Sequence, residues 1–189
     1  MLRHLPNLIT FLRMVLVVPL CWLISAGHYQ GALLVAAVAG FSDALDGFLA
    51  KRFGWTSWIG GMLDPVADKL LLTAAFVWLA LVGEIAAWIA ALVVGRDLVI
   101  VAGAVAYHNL VGRFDAEPSR LSKLTTVVQI AYILLELVRL SRWIALPAPL
   151  HSATIALVAM LTVASGLHYM FVWGRHARDV VRSRKETPR

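Results

Sequence analysis

Four aspartates carry the most informative chemistry in this sequence: Asp43, Asp46, Asp64 and Asp68. Asp43 and Asp46 are three residues apart, and Asp64 and Asp68 are four apart. On a helix, those spacings put each pair on one face. A short connection joins the two segments, so the faces can meet as antiparallel neighbours. A salt-bridge network is the plain alternative, because Lys51, Arg52 and Lys69 lie nearby. It accounts poorly for four like charges in apolar surroundings, where one acid at mid-membrane costs roughly 2.5–3.5 kcal/mol. Lys51 and Arg52 can also snorkel to lipid headgroups. Divalent cations offset the carboxylates better, and an all-oxygen donor set selects Mg2+, Mn2+ or Ca2+.

The elements that must hold these carboxylates follow from composition. Of 189 residues, 60% are hydrophobic and 15% are charged, and the mean hydropathy is +0.79. Soluble domains run near 45–50% apolar and about 25% charged. That balance excludes a soluble enzyme with one core, a disordered chain and a disulfide scaffold. Cys21 is the lone cysteine and allows no internal disulfide.

No Asp, Glu, Lys or Arg occurs from Met14 to Ser42 or from Trp143 to Gly174, and Leu70 to Gly95 holds only Glu84. A membrane-crossing helix needs about 20 mostly apolar residues. The pattern predicts an all-α integral membrane protein with six transmembrane helices, near 8–26, 32–51, 61–82, 86–107, 122–141 and 151–174. Turn residues mark the breaks, as at Gly27 to Gly31, Val82-Gly83-Glu84 and Pro147-Ala148-Pro149. With no long polar insert, 1–189 reads as a single membrane domain with a basic cytoplasmic tail at about 175–189. Residues 1–26 are expected to stay as a span. Arg13 interrupts the apolar run, and Ile24 spoils a cleavage pattern at Ser25-Ala26.

Bases set the orientation. Lys51 and Arg52, Arg113 and Arg120, and the tail from Arg175 onward fall on one side of a six-span plan. By the positive-inside rule that side is cytoplasmic, with both the N- and C-termini cytoplasmic. The formal net charge of +6 mostly reflects this asymmetry. A basic inner rim attracts anionic headgroups, at about 1 kcal/mol per base. No nucleic acid partner is expected, because the bases are spread along a membrane rim. Arg139, Arg142, Trp143, Tyr169 and Trp173 read as interfacial anchors. The six histidines are scattered and receive no metal role.

Small residues Gly40, Gly47, Ala50, Gly60, Gly61 and Ala67 lie among the acids. They suit close helix packing and equally leave room for a phosphate-bearing ligand. The string from Asp43 to Lys51, then Gly60 to Asp68, resembles the signature of the CDP-alcohol phosphatidyltransferases: Asp-x2-Asp-Gly-x2-Ala-Arg-x8-Gly-x3-Asp-x3-Asp. Every defined position matches except Lys51, where the family usually has Arg. Lys keeps the charge but not the bidentate fork. The opening, with Asn7, Thr10 and Arg13 three residues apart, is also similar to the family's first helix.

The resemblance implies transfer of a phosphatidyl group from CDP-diacylglycerol to an alcohol, with release of CMP. It implies Asp43, Asp46, Asp64 and Asp68 as metal ligands for Mg2+ or Mn2+, two ions in all. Asp68 is also the implied general base, taking the acceptor hydroxyl's proton. Asn7, Thr10, Gly47, Ala50, Lys51 and Gly60 are the implied contacts for the cytidine diphosphate part. Membrane lipids surround the protein, and a homodimer is expected from the family habit. The expected setting is a bacterial inner membrane, with the active site on its cytoplasmic side.

The acceptor is sought on the fourth and fifth spans. Arg96, Arg120 and Lys123 can together cradle a phosphate. Arg96 adjoins Asp97, but adjacent helical residues point to different sides, so no local pair is expected. Two branches of the family are similar here. Phosphatidylglycerophosphate synthases, which use glycerol 3-phosphate, have further bases where this chain has Ala104 and Thr125. A dianionic acceptor should want those bases. The string Ser122-Lys123-x2-Thr126-x2-Gln129 with its Arg-Asp pair looks more like the CMP-forming cardiolipin synthases, which use phosphatidylglycerol. Two rivals lie outside this family. Intramembrane prenyltransferases need acidic motifs on distant helices, and a membrane cation transporter would tend to show repeats. Neither feature is evident.

Overall fold

A computed structural model describes residues 5–53, 58–111 and 119–186, with side chains at 10–43, 66–103 and 119–172. The described residues form six helices and no strand. They are α1 (Leu5–Ser25), α2 (Tyr29–Phe53), α3 (Trp58–Leu81), α4 (Ala87–Val111), α5 (Arg120–Leu140) and α6 (Ala148–Glu186). Each expected span falls within one helix or overruns it by a residue. The largest difference is α6, which runs through the expected basic tail to Glu186. Nothing between Gly174 and Thr187 is a Gly or Pro, so no residue there stops a helix.

Turn residues end the helices for identifiable reasons. Gly27 and Gly83 have φ of 72° and 82°, a left-handed geometry that glycine adopts freely. His28 N–H then donates to Leu23 O at 2.8 Å, and Glu84 N–H to Leu79 O at 2.9 Å, which satisfies final-turn carbonyls. Ser119 caps α5 by accepting from Ser122 N–H. Arg142, just past α5, holds φ of 59° without being glycine. Tyr29 Oη donates to Glu84 Oε1 at 2.8 Å and ties the two turns together. Burial, and then the Glu84 carboxylate, push this phenol above its ordinary value, so it remains a donor.

Helix α1 packs on α2 and α3, α4 on α3 and α6, and α5 on α2, α3 and α6. Leu20, Ile24, Phe76, Leu79, Ile89, Val93 and Leu137 are fully buried among them. Phe76 stacks on Tyr132 at 5.9 Å between ring centroids. The outward faces are apolar as well. Phe11, Leu34, Leu81, Leu98, Val127 and Met160, one on each helix, are exposed. In water such a surface would aggregate; in lipid it is the expected exterior. Among the described residues, Arg120–Leu140 and Ala148–Val172 are long and apolar enough to cross a membrane.

Candidate active site

Asp43 sits on α2 and Asp68 on α3, and a buried guanidinium from α1 joins them. Arg13 Nη1 lies 2.8 Å from Asp43 Oδ1 and also contacts Asp68 Oδ1. Both carboxylates are near half exposed, at 48% and 44% of their side chains, whereas Arg13 is at 2%. The two carboxylates are thus brought together through α1: α2 and α3 each pack on α1, and not on one another among the described residues. Two carboxylate oxygens converge on one cation, here a guanidinium; they can supply part of a hard metal ion's oxygen shell, although no group of three or more metal-ligating side chains occurs among the described residues. The side chains of Asp46, Asp64, Asn7, Gly47, Ala50, Lys51 and Gly60 lie outside the described residues. Thr10 is fully buried one turn before Arg13 on α1.

Two cavities meet at Asp68. One, of about 400 Å3, is walled by Leu20, Ala36, Leu71, Leu72, Ala75, Ile133 and Leu134, with Arg13, Asp43 and Asp68 as its polar rim. The other, of about 380 Å3, holds Lys69, Arg96, Asp97, Ser122, Lys123, Thr126 and Gln129. Asp68, Leu72 and Ile130 line both. The first suits hydrocarbon; the second suits an anion.

Arg96 does pair with Asp97, contrary to the expectation from adjacency. Its Nη1 donates to Asp97 Oδ1 at 2.7 Å. The arginine stem is long enough to bring its head round to the next residue's carboxylate. Nη2 donates to Ser122 Oγ at 2.6 Å and to Ser165 Oγ at 3.0 Å, and Nε reaches Ser165 Oγ at 3.3 Å. All three guanidinium nitrogens are thus engaged, and the residue is 6% exposed. Lys69 Nζ holds the other side of Asp97 Oδ1 at 3.0 Å. Lys123 is exposed and makes no ion pair among the described residues. Arg120, the first residue of α5, is exposed and does not line the cavity.

Several partners escape a reading of the sequence. Ser165 and Thr162 are buried on α6, where Thr162 Oγ1 accepts from Gln129 Nε2 at 3.0 Å. Polar residues inside an apolar helix are the available signal, because such hydroxyls bond across helices. Tyr169, expected as an anchor, accepts from Ser119 N–H at 3.2 Å and so pins the start of α5. Arg139, also expected as an anchor, donates to buried Glu136, which His151 meets from α6.

A pocket for oil and a pocket for charge sharing one carboxylate suit a protein that handles a lipid with a charged head. Comparison with known proteins is specific about which. The chain belongs to the CDP-alcohol phosphatidyltransferase family, whose model matches residues 3–174. It is an enzyme of phospholipid biosynthesis that transfers phosphatidyl groups. The family is membrane-associated and generally depends on a divalent metal. A relative from Mycobacterium tuberculosis, "Probable phosphatidylglycerophosphate synthase", is 32% identical over 189 residues, covering 95% of this chain and 84% of its own. A Drosophila melanogaster relative, "Probable cardiolipin synthase (CMP-forming)", is 33% identical over 187 residues, covering 90% and 57%. A Pseudomonas fluorescens CDP-diacylglycerol–glycerol-3-phosphate 3-phosphatidyltransferase is 40% identical over 109 residues, covering 51% and 52%.

Proposed function

We propose that the acceptor is phosphatidylglycerol, making the reaction that of a CMP-forming cardiolipin synthase. The carrying observation is the state of Arg96. Its nitrogens are committed to Asp97, Ser122 and Ser165, so the polar cavity offers Lys123 as its uncommitted base. That suits one phosphodiester charge better than the two of glycerol 3-phosphate. Thr125, where a synthase for glycerol 3-phosphate would have a base, is buried and donates to the backbone carbonyls of Leu121 and Leu161. Val127 and Ile130 line the same cavity and are exposed on the outer face of α5. A lipid acceptor can enter through that wall.

In this reading Asp43, Asp46, Asp64 and Asp68 hold Mg2+ or Mn2+, most simply as two ions. When bound, such ions neutralise the diphosphate and the charge developing on the attacking and leaving oxygens. Asp68 stands where the two cavities join, and its carboxylate takes the proton of the acceptor hydroxyl. Asn7, Thr10, Gly47, Ala50, Lys51 and Gly60 line the CDP part of the donor, whose chains lie in the apolar cavity. The six helices span the membrane as one domain, with both termini and the site on the cytoplasmic side of a bacterial inner membrane. The protein works as a homodimer.

Glycerol 3-phosphate is the competing acceptor, favoured by the names of the Mycobacterium and Pseudomonas relatives. Purified protein supplied with CDP-diacylglycerol and each acceptor in turn decides between them. Cardiolipin and CMP are the expected products. Phosphatidylglycerophosphate formed faster than cardiolipin would reverse the assignment.

A further inference from the structure

Arg13 belongs to α1, and it bridges Asp43 on α2 to Asp68 on α3. Nη1 is shared between Asp43 and Asp68. Nε and Nη2 are buried and have no hydrogen-bond partner among the described residues. These two nitrogens form the side-on fork with which arginine grips a phosphate or carboxylate bidentately. The stronger edge of the guanidinium is therefore unused, and one nitrogen serves two carboxylates. The two carboxylates meet its charge, but the buried Nε–H and Nη2–H donors are left unsatisfied. The fork is closed to solvent, so it becomes available only if the guanidinium moves. The apolar cavity that Arg13 lines provides adjoining volume, about 400 Å3. Gly40 on the same wall leaves open space at its Cα.

We propose that Arg13 is a positioning residue that exchanges partners. It competes with a divalent cation for Asp43 and Asp68, and it turns its fork to the donor's diphosphate once the cation holds them. The inference rests on reading those aspartates as cation ligands. A divalent cation and the guanidinium compete for the same carboxylate oxygens, because two cations drawn to one site repel each other. A cation arriving alone meets a like charge and strips Arg13 of its acceptors. A diphosphate supplies new acceptors together with negative charge. Cation and nucleotide then bind cooperatively, and reciprocity requires each to raise the other's affinity by the same factor.

Mn2+ titrations of the full chain in neutral detergent, with and without CDP, test this. In wild type, CDP should tighten Mn2+ binding about tenfold, within the usual span of coupling between sites. Arg13→Gln should bind Mn2+ alone about fivefold more tightly, and its CDP enhancement should shrink towards none. Unchanged or weaker Mn2+ binding in Arg13→Gln overturns the exchange. Arg13→Lys keeps the competing charge but lacks the fork, so it should bind Mn2+ alone as wild type does and lose most of the CDP enhancement. If the Gln variant does not fold, the Lys variant decides: full CDP enhancement there overturns the proposal. Wild type that binds no Mn2+ under either condition overturns the carboxylate reading itself, a different result from intact binding that ignores residue 13.

Discussion

Two buried charges sit in the same helical bundle, and their surroundings differ. Glu136 on α5 is fully buried. Its Oε2 accepts from Arg139 Nε at 2.6 Å, and its Oε1 meets His151 Nε2 at 2.5 Å. Each carboxylate oxygen has its own partner. Arg13 is almost as deeply buried, yet its one bonding nitrogen serves two carboxylates and two nitrogens are idle. Ser122, beside the polar cavity, and Glu136 are fourteen residues apart on α5, or about 21 Å at 1.5 Å per residue. The Glu136 end is not wholly closed, since Tyr132 Oη and Ser141 Oγ nearby in the chain are also buried without a hydrogen-bond partner among the described residues. What differs is the charged group itself: each Glu136 oxygen has its own partner, whereas the Arg13 guanidinium keeps two donors unused, as the proposed exchange of partners requires.

The largest effect that could break this contrast is at Asp68. Asp68→Asn should lower turnover by about a thousandfold, within the span of general-base contributions. CMP binding should persist, and thermal stability should change little because Asp43 still holds Arg13. Turnover within tenfold of wild type at saturating metal would remove Asp68 from the chemistry. The opposite cluster should respond the opposite way. Glu136→Ala orphans a buried pairing and should cost about 3 kcal/mol of stability, read as a lowered melting temperature in detergent. Activity per folded molecule should stay near wild type; a selective loss of turnover would mean that this end is not merely structural.

Smaller effects sharpen the comparison. Lys123→Ala should raise the acceptor KM about tenfold, equivalent to about 1.4 kcal/mol, while CMP affinity holds. An unchanged acceptor KM would leave the polar cavity without its recognising base. Arg142, a cation at the Glu136 end, should behave as backbone rather than as ligand. Arg142→Gly relieves the left-handed conformation and should stabilise by about 1 kcal/mol. Loss of stability there would show that its side chain has a part to play.

The two clusters were not equally legible. Asp43 and Asp68 stand out because Asp43 follows a long uncharged run, charge is sparse beyond Asp68-Lys69, and their motif spacing is specific. Helix positions follow from the same charge map, so five helices end within about four residues of expectation, while α6 runs on from the expected 174 to Glu186. Glu136 is easy to pass over, since Arg139 and Arg142 close behind it read as a membrane rim. Its partner His151 comes from another helix, which no local pattern announces. The Arg96–Asp97 pair misleads for a different reason: spacing rules describe where Cβ atoms point, whereas a long stem can return its charged head. Ser165 has the weakest signal, because a small hydroxyl scarcely disturbs an apolar run.

That hydroxyl changes how a new specificity could arise. Ser165 does not line the polar cavity, but it occupies Arg96 Nε and part of Nη2. Ser165→Ala would free those donors without adding a single atom to the pocket. Selection, or an engineer, seeking an acceptor with more negative charge could therefore begin on α6, one residue behind the cavity wall. The family could move between acceptors by releasing a base it already carries.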